Sequence, residues 1–313
     1  MQDEYSFTEQ RLGGLRPMEV ARSNKAPVRA PADSVPPSLL RYDLTEMEVR
    51  WDADLQTLWS FMTPSEEPKY TRALLRDMRR WQLETQNLYR SGTLDMRYVV
   101  LGCRHPSAFN LGGDLALVSG AIEQGDKAGL EDYGNACVDI LHENMLGLGL
   151  PVITIALLQG DTVGGGFESA LSFNVLIAER HVQFSLPENA FGMFPGVGAH
   201  SLLTRKLNAA QAERLMMSGR TYSAQEMYDL GLVHVLADTG KGEEAARAYI
   251  QQNMRRFNGQ LGVYRAAREV NPVLLGELRK IVRIWAETGM QLTPQQVKIM
   301  KRMSGKQGRV AAA

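Results

Sequence analysis

Alternating and continuous runs of apolar residues predict a chain in which strands are followed by helices. Residues 41–52 alternate between apolar and polar positions, which predicts a first strand, and a second strand is predicted over 55–62. The unbroken apolar runs at 98–103 and 152–158 are typical of strands that are buried on both faces. Residues 68–90 carry apolar side chains at helical spacing and therefore predict the first helix.

The rest of the chain continues the same alternation. A loop is predicted over 104–113, followed over 115–149 by a helix in two pieces that is broken near Gly125. Proline favours the first turn of a helix, so Pro272 and Pro294 are expected to mark helix starts in a tail that is helical from Leu261. The remaining helices are predicted at 167–173, 199–207, 209–218, 224–230 and 243–257, and the remaining strands at 174–178, 183–185 and 233–236.

This pattern divides the chain into three predicted regions. Residues 1–40 are rich in proline, arginine, serine and alanine, which indicates a flexible arm; a strap across a neighbouring subunit is the alternative. Residues 41–258 form the predicted core of strands and helices. Residues 259–313 form a predicted C-terminal helical region.

Composition and charge argue against several classes of function. The 313 residues are 44% hydrophobic, which allows a sizeable core, and their formal net charge of +0 gives no electrostatic support for nucleic-acid binding. The apolar runs are too short to span a membrane, and the polar start of the chain predicts no signal peptide. The two cysteines form no disulfide framework, so a cytoplasmic location is expected.

One stretch combines a glycine turn with two acids. The triplet at 164–166 lies between a predicted buried strand and a predicted helix, so its N–H groups form a helix N-terminus that favours negative charge. Glu168 lies in the first turn of that helix, and Glu188 follows Pro187. Either acid alone fits an ordinary helix N-terminus, but the pair favours proton transfer beside a carbonyl. Their apolar neighbours predict that at least one carboxyl titrates above a free glutamate.

Three motifs together resemble the crotonase (enoyl-CoA hydratase/isomerase) superfamily. They are GGGFE at 164–168, QFSLPE at 183–188 and AFNLGGDL at 108–115. The loop FNLGGDL and the sequence RYDLTEMEVRWD at 41–52 look most like the diffusible-signal-factor synthases of that superfamily. The resemblance implies an α/β fold, built as a ββα spiral with a C-terminal helical region.

The resemblance also implies roles for particular residues. Glu168 and Glu188 would be the catalytic acid and base, in an order that the sequence leaves open. The N–H groups of Gly113 and Gly165 would hold the thioester oxygen, whereas Asp114 is expected to cap a helix rather than to catalyse. Leu111, Gly112, Met193, Phe194 and Trp285 are expected to bind the substrate, with Met193 and Trp285 beside a slot for its acyl chain.

By the same resemblance, the substrate would be a medium-chain 3-hydroxyacyl thioester on acyl carrier protein or CoA. Dehydration and then thioester hydrolysis would release a cis-2-unsaturated fatty acid that serves as a quorum-sensing signal. No cofactor and no metal are expected, and His142-Glu143 lacks the second histidine of the zinc motif H-E-x-x-H.

The resemblance implies a homo-oligomer, a trimer or a hexamer, and the receiver domain of a sensor kinase as a further partner. The basic stretches at 76–80 and 298–302 are interpreted as solvated helix faces, with a contact to carrier protein or phosphopantetheine as the alternative. Two other functions stay open: an ordinary enoyl-CoA hydratase of fatty-acid breakdown, and a crotonase-like interaction protein without catalysis. The presence of both acids counts against the second.

Overall fold

The structure is a computed structural model that describes residues 44–307, so the predicted arm at 1–40 lies outside the described residues. Among these residues the chain forms ten strands and eleven α-helices, with 3₁₀ turns at Glu188–Phe191 and Met254–Arg256. The strands are β1 (Met47–Asp52), β2 (Thr57–Met62), β3 (Tyr98–Cys103), β4 (Ala108–Asn110), β5 (Ile153–Leu158), β6 (Asp161–Val163), β7 (Val175–Glu179), β8 (Gln183–Ser185), β9 (Thr221–Ser223) and β10 (Val235–Ala237). The helices are α1 (Arg72–Arg90), α2 (Leu115–Glu123), α3 (Lys127–Met145), α4 (Gly165–Leu171), α5 (Ala199–Lys206), α6 (Ala209–Ser218), α7 (Ala224–Asp229), α8 (Gly242–Asn253), α9 (Phe257–Val270), α10 (Leu275–Met290) and α11 (Pro294–Gln307).

The strands form two sheets that the chain visits in turn. The larger sheet has the order β1-β2-β3-β5-β7-β10 and is parallel except for the pair β1–β2. The smaller sheet has the order β4-β6-β8-β9 and is parallel except for the pair β8–β9. Three times in succession, a strand of the larger sheet is followed by a strand of the smaller sheet and then by a helix or turn. The predicted ββα spiral is therefore confirmed.

The larger sheet is covered on both faces. Alternate residues of β3 belong to different hydrophobic clusters: Val99 and Leu101 pack on the side of α1, whereas Tyr98 and Val100 pack on the side of α8. This explains why β3 and β5 are unbroken apolar runs, as predicted. Trp81 of α1 is fully buried and donates a hydrogen bond from Nε1 to Ser60 Oγ at 2.8 Å, which fixes α1 on β2.

The structure differs from the sequence-based elements at three very short strands and one proline. β4 lies within the predicted loop 104–113, and β6 and β9 have three residues each, too few for periodicity to show. Pro294 begins α11 as predicted, but Pro272 does not begin a helix because α10 starts at Leu275. The predicted boundary between residues 258 and 259 falls inside the first turn of α9. Within residues 44–307, no helix combines the length and the apolar character needed to cross a membrane.

Candidate active site

The spiral places three distant loops side by side. β4, β6 and β8 are neighbours in the smaller sheet, so the loop after β4, the start of α4 after β6 and the turn after β8 meet at one edge. Gly164 has a φ of +53°, and a Cβ on it would lie 2.5 Å from Glu188 Oε1. A Cβ on Gly166 would collide with the carbonyl oxygen of Asn110. Glycine is thus favoured at 164 by the positive φ and required at 166 by close approach to the backbone of another loop.

Glu168 is held at the N-terminus of another helix. Its side chain is 1% exposed, and Oε1 accepts hydrogen bonds from the N–H groups of Val197 at 3.0 Å and Ala199 at 2.8 Å, where α5 begins. Burial raises the pKa of Glu168 to about 7, although backbone donors stabilise the ionised form and oppose this rise. This carboxyl can therefore change its protonation state near neutral pH.

Glu188 is the less well-satisfied acid of the pair. It begins the 3₁₀ turn after β8, and its Oε2 is buried without a hydrogen-bond partner among the residues that the structure describes. Burial raises its pKa to about 8, and the charge of Glu168 adds to the rise. The expectation that at least one carboxyl titrates above a free glutamate agrees with both values.

The raised pKa values predict a pH-dependent cost in stability. Both groups exceed the value of 4.5 for a free glutamate, so the folded protein binds more protons than the unfolded chain between about pH 4.5 and 8. The free energy of unfolding should therefore fall as the pH rises through this window. We expect Glu188→Gln to be more stable than wild type at about pH 9 and nearly equal to it at about pH 4.5, as measured by urea unfolding.

Glu179→Gln is the matched control for this prediction. Glu179 is also buried, but its carboxylate accepts hydrogen bonds from the N–H groups of Gly240 at 2.6 Å and Gly242 at 2.9 Å. Its replacement should lower stability, because an amide nitrogen cannot accept from a backbone donor. A Glu188→Gln variant less stable than wild type at about pH 9 would contradict burial as the dominant cause.

Gly113 and Gly165 lie against the same cavity as the two acids. A Cβ on Gly165 would be 3.5 Å from the Gly113 nitrogen, so the two loops are in close contact. Gly165 is the first residue of α4, where an N–H group has no partner within the helix. Asp114 caps α2 as predicted, accepting from the N–H groups of Ala116 and Leu117. The arrangement therefore places two glycine loops and two ionisable carboxyls around one cavity.

The cavity contains about 530 Å³ of space between atoms, including its opening to solvent. Met193, Phe194 and Trp285 line it, whereas Leu111 and Gly112 are not among its lining residues. Gly112 instead packs behind Gly165, since a Cβ on it would lie 2.9 Å from the Gly165 nitrogen. The lining residues that the sequence did not indicate are Tyr70, Leu115, Val118, Tyr133, Cys137, Phe191, Gly196 and Val197.

The lining residues that the sequence did not indicate were missed for different reasons. Tyr133 and Cys137 are one turn apart on α3, a spacing that the sequence shows but that ordinary core residues also have. Tyr70 precedes α1 and joins the site through an isolated parallel bridge to Gly113, a pairing that no local pattern announces. These contacts are set by tertiary packing alone.

A family model described as "Enoyl-CoA hydratase/isomerase" matches residues 86–269 of the chain. A segment of 103 residues is 33% identical to "Probable enoyl-CoA hydratase 2, mitochondrial" of Arabidopsis thaliana. That match covers 33% of this chain and 34% of the plant protein, or about a third of its length.

Solved structures share the fold at low sequence identity. DspI of Pseudomonas aeruginosa superposes with a TM-score of 0.58 at 23% identity, over 74% of this chain and 85% of that chain. An enoyl-CoA hydratase/isomerase from Mycobacterium paratuberculosis superposes with a TM-score of 0.67 at 18% identity, over 83% of this chain and 100% of that chain. At these identities the likeness shows the fold.

Proposed function

The chain belongs to the enoyl-CoA hydratase/isomerase family, and from that premise we propose that it dehydrates medium-chain 3-hydroxyacyl thioesters and then hydrolyses the thioester. The product would be a cis-2-unsaturated fatty acid that acts as a quorum-sensing signal. The observation that carries the proposal is the pair of buried Glu168 and partly buried Glu188, with pKa values of about 7 and about 8, beside Gly113 and Gly165 at one cavity.

The geometry suggests which acid acts as the base. Backbone donors stabilise the ionised form of Glu168, whereas no described group donates to the buried Oε2 of Glu188. In the singly protonated pair, Glu168 is therefore the carboxylate that removes the proton from C2, and Glu188 is the acid that protonates the 3-hydroxyl. The C2–H and C3–O bonds break, a C2=C3 double bond forms, and water leaves.

The two glycine amides act on the same step. An α-proton beside a thioester is very weakly acidic, so the developing charge on the carbonyl oxygen needs donors that are already in place. The N–H groups of Gly113 and Gly165 supply them, and each donor of this kind contributes roughly 3 kcal/mol in other enzymes. Thioester hydrolysis needs the same oxyanion donors and a carboxylate that activates water, with no serine nucleophile.

The proposal also covers the carrier of the substrate and the partners of the protein. We propose that acyl carrier protein or CoA delivers the substrate, that no cofactor takes part, and that the protein is a cytoplasmic homo-oligomer, a trimer or a hexamer. Arg76, Arg79 and Arg80 are exposed on α1, as a solvated helix face or an acidic carrier would require. The receiver domain of a sensor kinase is proposed as a further partner from the resemblance alone.

A simple hydratase is the second candidate, and the names of the matched family and of the plant relative favour it. The two functions differ in their products. Purified protein incubated with 3-hydroxydecanoyl carrier protein should release a free unsaturated fatty acid, identified by mass spectrometry. Hydrated and dehydrated thioesters in equilibrium, with no free acid formed, would support the simple hydratase instead.

The wall of the cavity at Trp285 gives a prediction about chain length. Trp285 packs directly on the backbone of Gly196, since a Cβ on that glycine would collide with its ring. Trp285→Ala should shift the preferred substrate towards longer acyl chains and lower stability by about 3–5 kcal/mol, because it removes a buried ring. Turnover of a series of chain lengths measures the shift.

The neighbouring substitution Ile284→Ala is the control, because Ile284 is 54% exposed on the same helix. It should leave the chain-length preference unchanged. An unaltered preference in Trp285→Ala would remove Trp285 from the acyl slot.

A further inference from the structure

The direction of the Gly113 amide is set by the backbone at Tyr70, which pairs with this loop. Its N–H belongs to the peptide whose carbonyl, Gly112 O, accepts a hydrogen bond from Tyr70 N at 2.8 Å. In a planar trans peptide the carbonyl and the N–H point in opposite directions. The Gly113 N–H therefore points away from the Tyr70 backbone, and whatever holds that backbone also aims the amide.

The phenol of Tyr133 holds the Tyr70 backbone to this loop. Its hydroxyl donates to Tyr70 O at 2.7 Å and accepts from Asp114 N at 2.8 Å. In a parallel bridge between Tyr70 and Gly113, these are the two groups that the second backbone hydrogen bond would join directly. The hydroxyl stands between them and completes the bridge.

Tyr133 is well suited to serve as a fixed spacer. It is 2% exposed on α3, a helix of 19 residues. Burial raises the pKa of its hydroxyl, so the group stays neutral and can donate and accept at once. Gly112 is held from the other side as well, because its N–H donates to Asn110 Oδ1 at 2.8 Å.

We propose that Tyr133 is a positioning residue for the reaction, which aims the Gly113 N–H at the substrate oxygen through the Tyr70 backbone and Asp114. This inference rests on the proposed function, since it assigns a purpose to the rigidity of one of its two oxyanion donors. Tyr133 acts through Gly113 and takes no part in bond making or breaking.

Tyr133→Phe tests the role because it removes the hydroxyl and keeps the ring. Complete loss of an oxyanion donor costs about 100- to 1000-fold in kcat in other enzymes, so a donor that is only loosened should cost about 10- to 100-fold. KM should change little, because the contacts of the acyl chain are retained.

Two control variants separate positioning from loss of stability. Tyr98→Phe makes the same change at a buried tyrosine outside the cavity, in the cluster beneath the larger sheet, and should keep wild-type kcat. Ser60→Ala removes the buried partner of Trp81 Nε1 and should lower the melting temperature without the loss of kcat. If kcat follows the melting temperature across all three variants, the role is structural and the proposal fails.

A binding measurement distinguishes this inference from the proposed function. The probes are 3-oxodecanoyl-CoA, which can enolise, and the S-decyl-CoA thioether, which has no carbonyl oxygen to hold. Wild-type protein should prefer the first, and Tyr133→Phe should lose most of that preference, a ratio that an unfolded fraction does not alter. No preference in wild type would overturn the oxyanion hole and the proposed function with it. A preference that Tyr133→Phe retains in full would overturn only the role of Tyr133.

Discussion

Replacing either Glu168 or Glu188 with glutamine is expected to lower the rate of dehydration by at least about 100-fold, the low end for a positioned acid or base. The reaction needs one ionised and one protonated carboxyl, and glutamine can be neither a base nor an acid at these positions. Each substitution is nearly isosteric, so the fold should persist. Thioester cleavage should fall as well if the same pair directs the water.

The pH dependence of the wild-type rate should also show that two carboxyls act together. Because the pKa values are about 7 and about 8, the singly protonated form is most populated between them, and kcat/KM should be bell-shaped with its maximum there. Glu179→Gln is the control, since Glu179 is buried and hydrogen-bonded but is not among the residues lining the cavity. Near-wild-type turnover of both reactions in a variant would exclude that glutamate from the chemistry and favour the interaction-protein function.

Gly166→Ala is expected to abolish most activity although residue 166 carries no functional group. The added methyl would collide with the carbonyl oxygen of Asn110, so α4 and the loop after β4 would have to separate. That separation moves the Gly165 amide away from the Gly113 amide, and loss of one such donor costs about 100- to 1000-fold in kcat. Steady-state kinetics on the folded variant measures the loss.

Gly120→Ala is the matched control, because Gly120 lies in α2 with no atom within 4 Å of an added Cβ. It should keep wild-type activity and gain about 0.5–1 kcal/mol of stability, as alanine is the better helix former. Full activity in Gly166→Ala would show that the two loops can part without disturbing the site.

The sequence predicted the parts of this site that are local and missed those made by packing. Glu168 and Glu188 were identified because each lies in a motif of its own, and the glycine triplet marked the turn before α4. The bridge from Tyr70 to Gly113 was invisible because its two residues are far apart in sequence and neither lies in a periodic strand. Leu111 was predicted to bind the substrate, but it is not among the residues that line the cavity.

The strands and helices show the same contrast between local patterns, which were predicted, and tertiary pairing, which was not. Long apolar runs and strong helical periodicity predicted β3, β5 and α1 closely, because burial on a fixed face imposes a readable pattern. β4 and β6 have three residues each, and their pairing depends on neighbours from other turns of the spiral. Proline at 272 lies in the connection before α10 rather than in its first turn, which propensity alone does not distinguish.

The smaller sheet constrains how many residues can separate each of its strands from the loop that follows it. Strands β4, β6 and β8 each end directly at one of the loops that meet at the cavity. Their alignment therefore sets the distances between the groups on these loops. A slip of one residue in any of them would displace its loop by about 3.3 Å, more than a hydrogen bond tolerates. Related proteins should therefore differ in the side chains along the cavity wall far more often than in the number of residues between strand and loop.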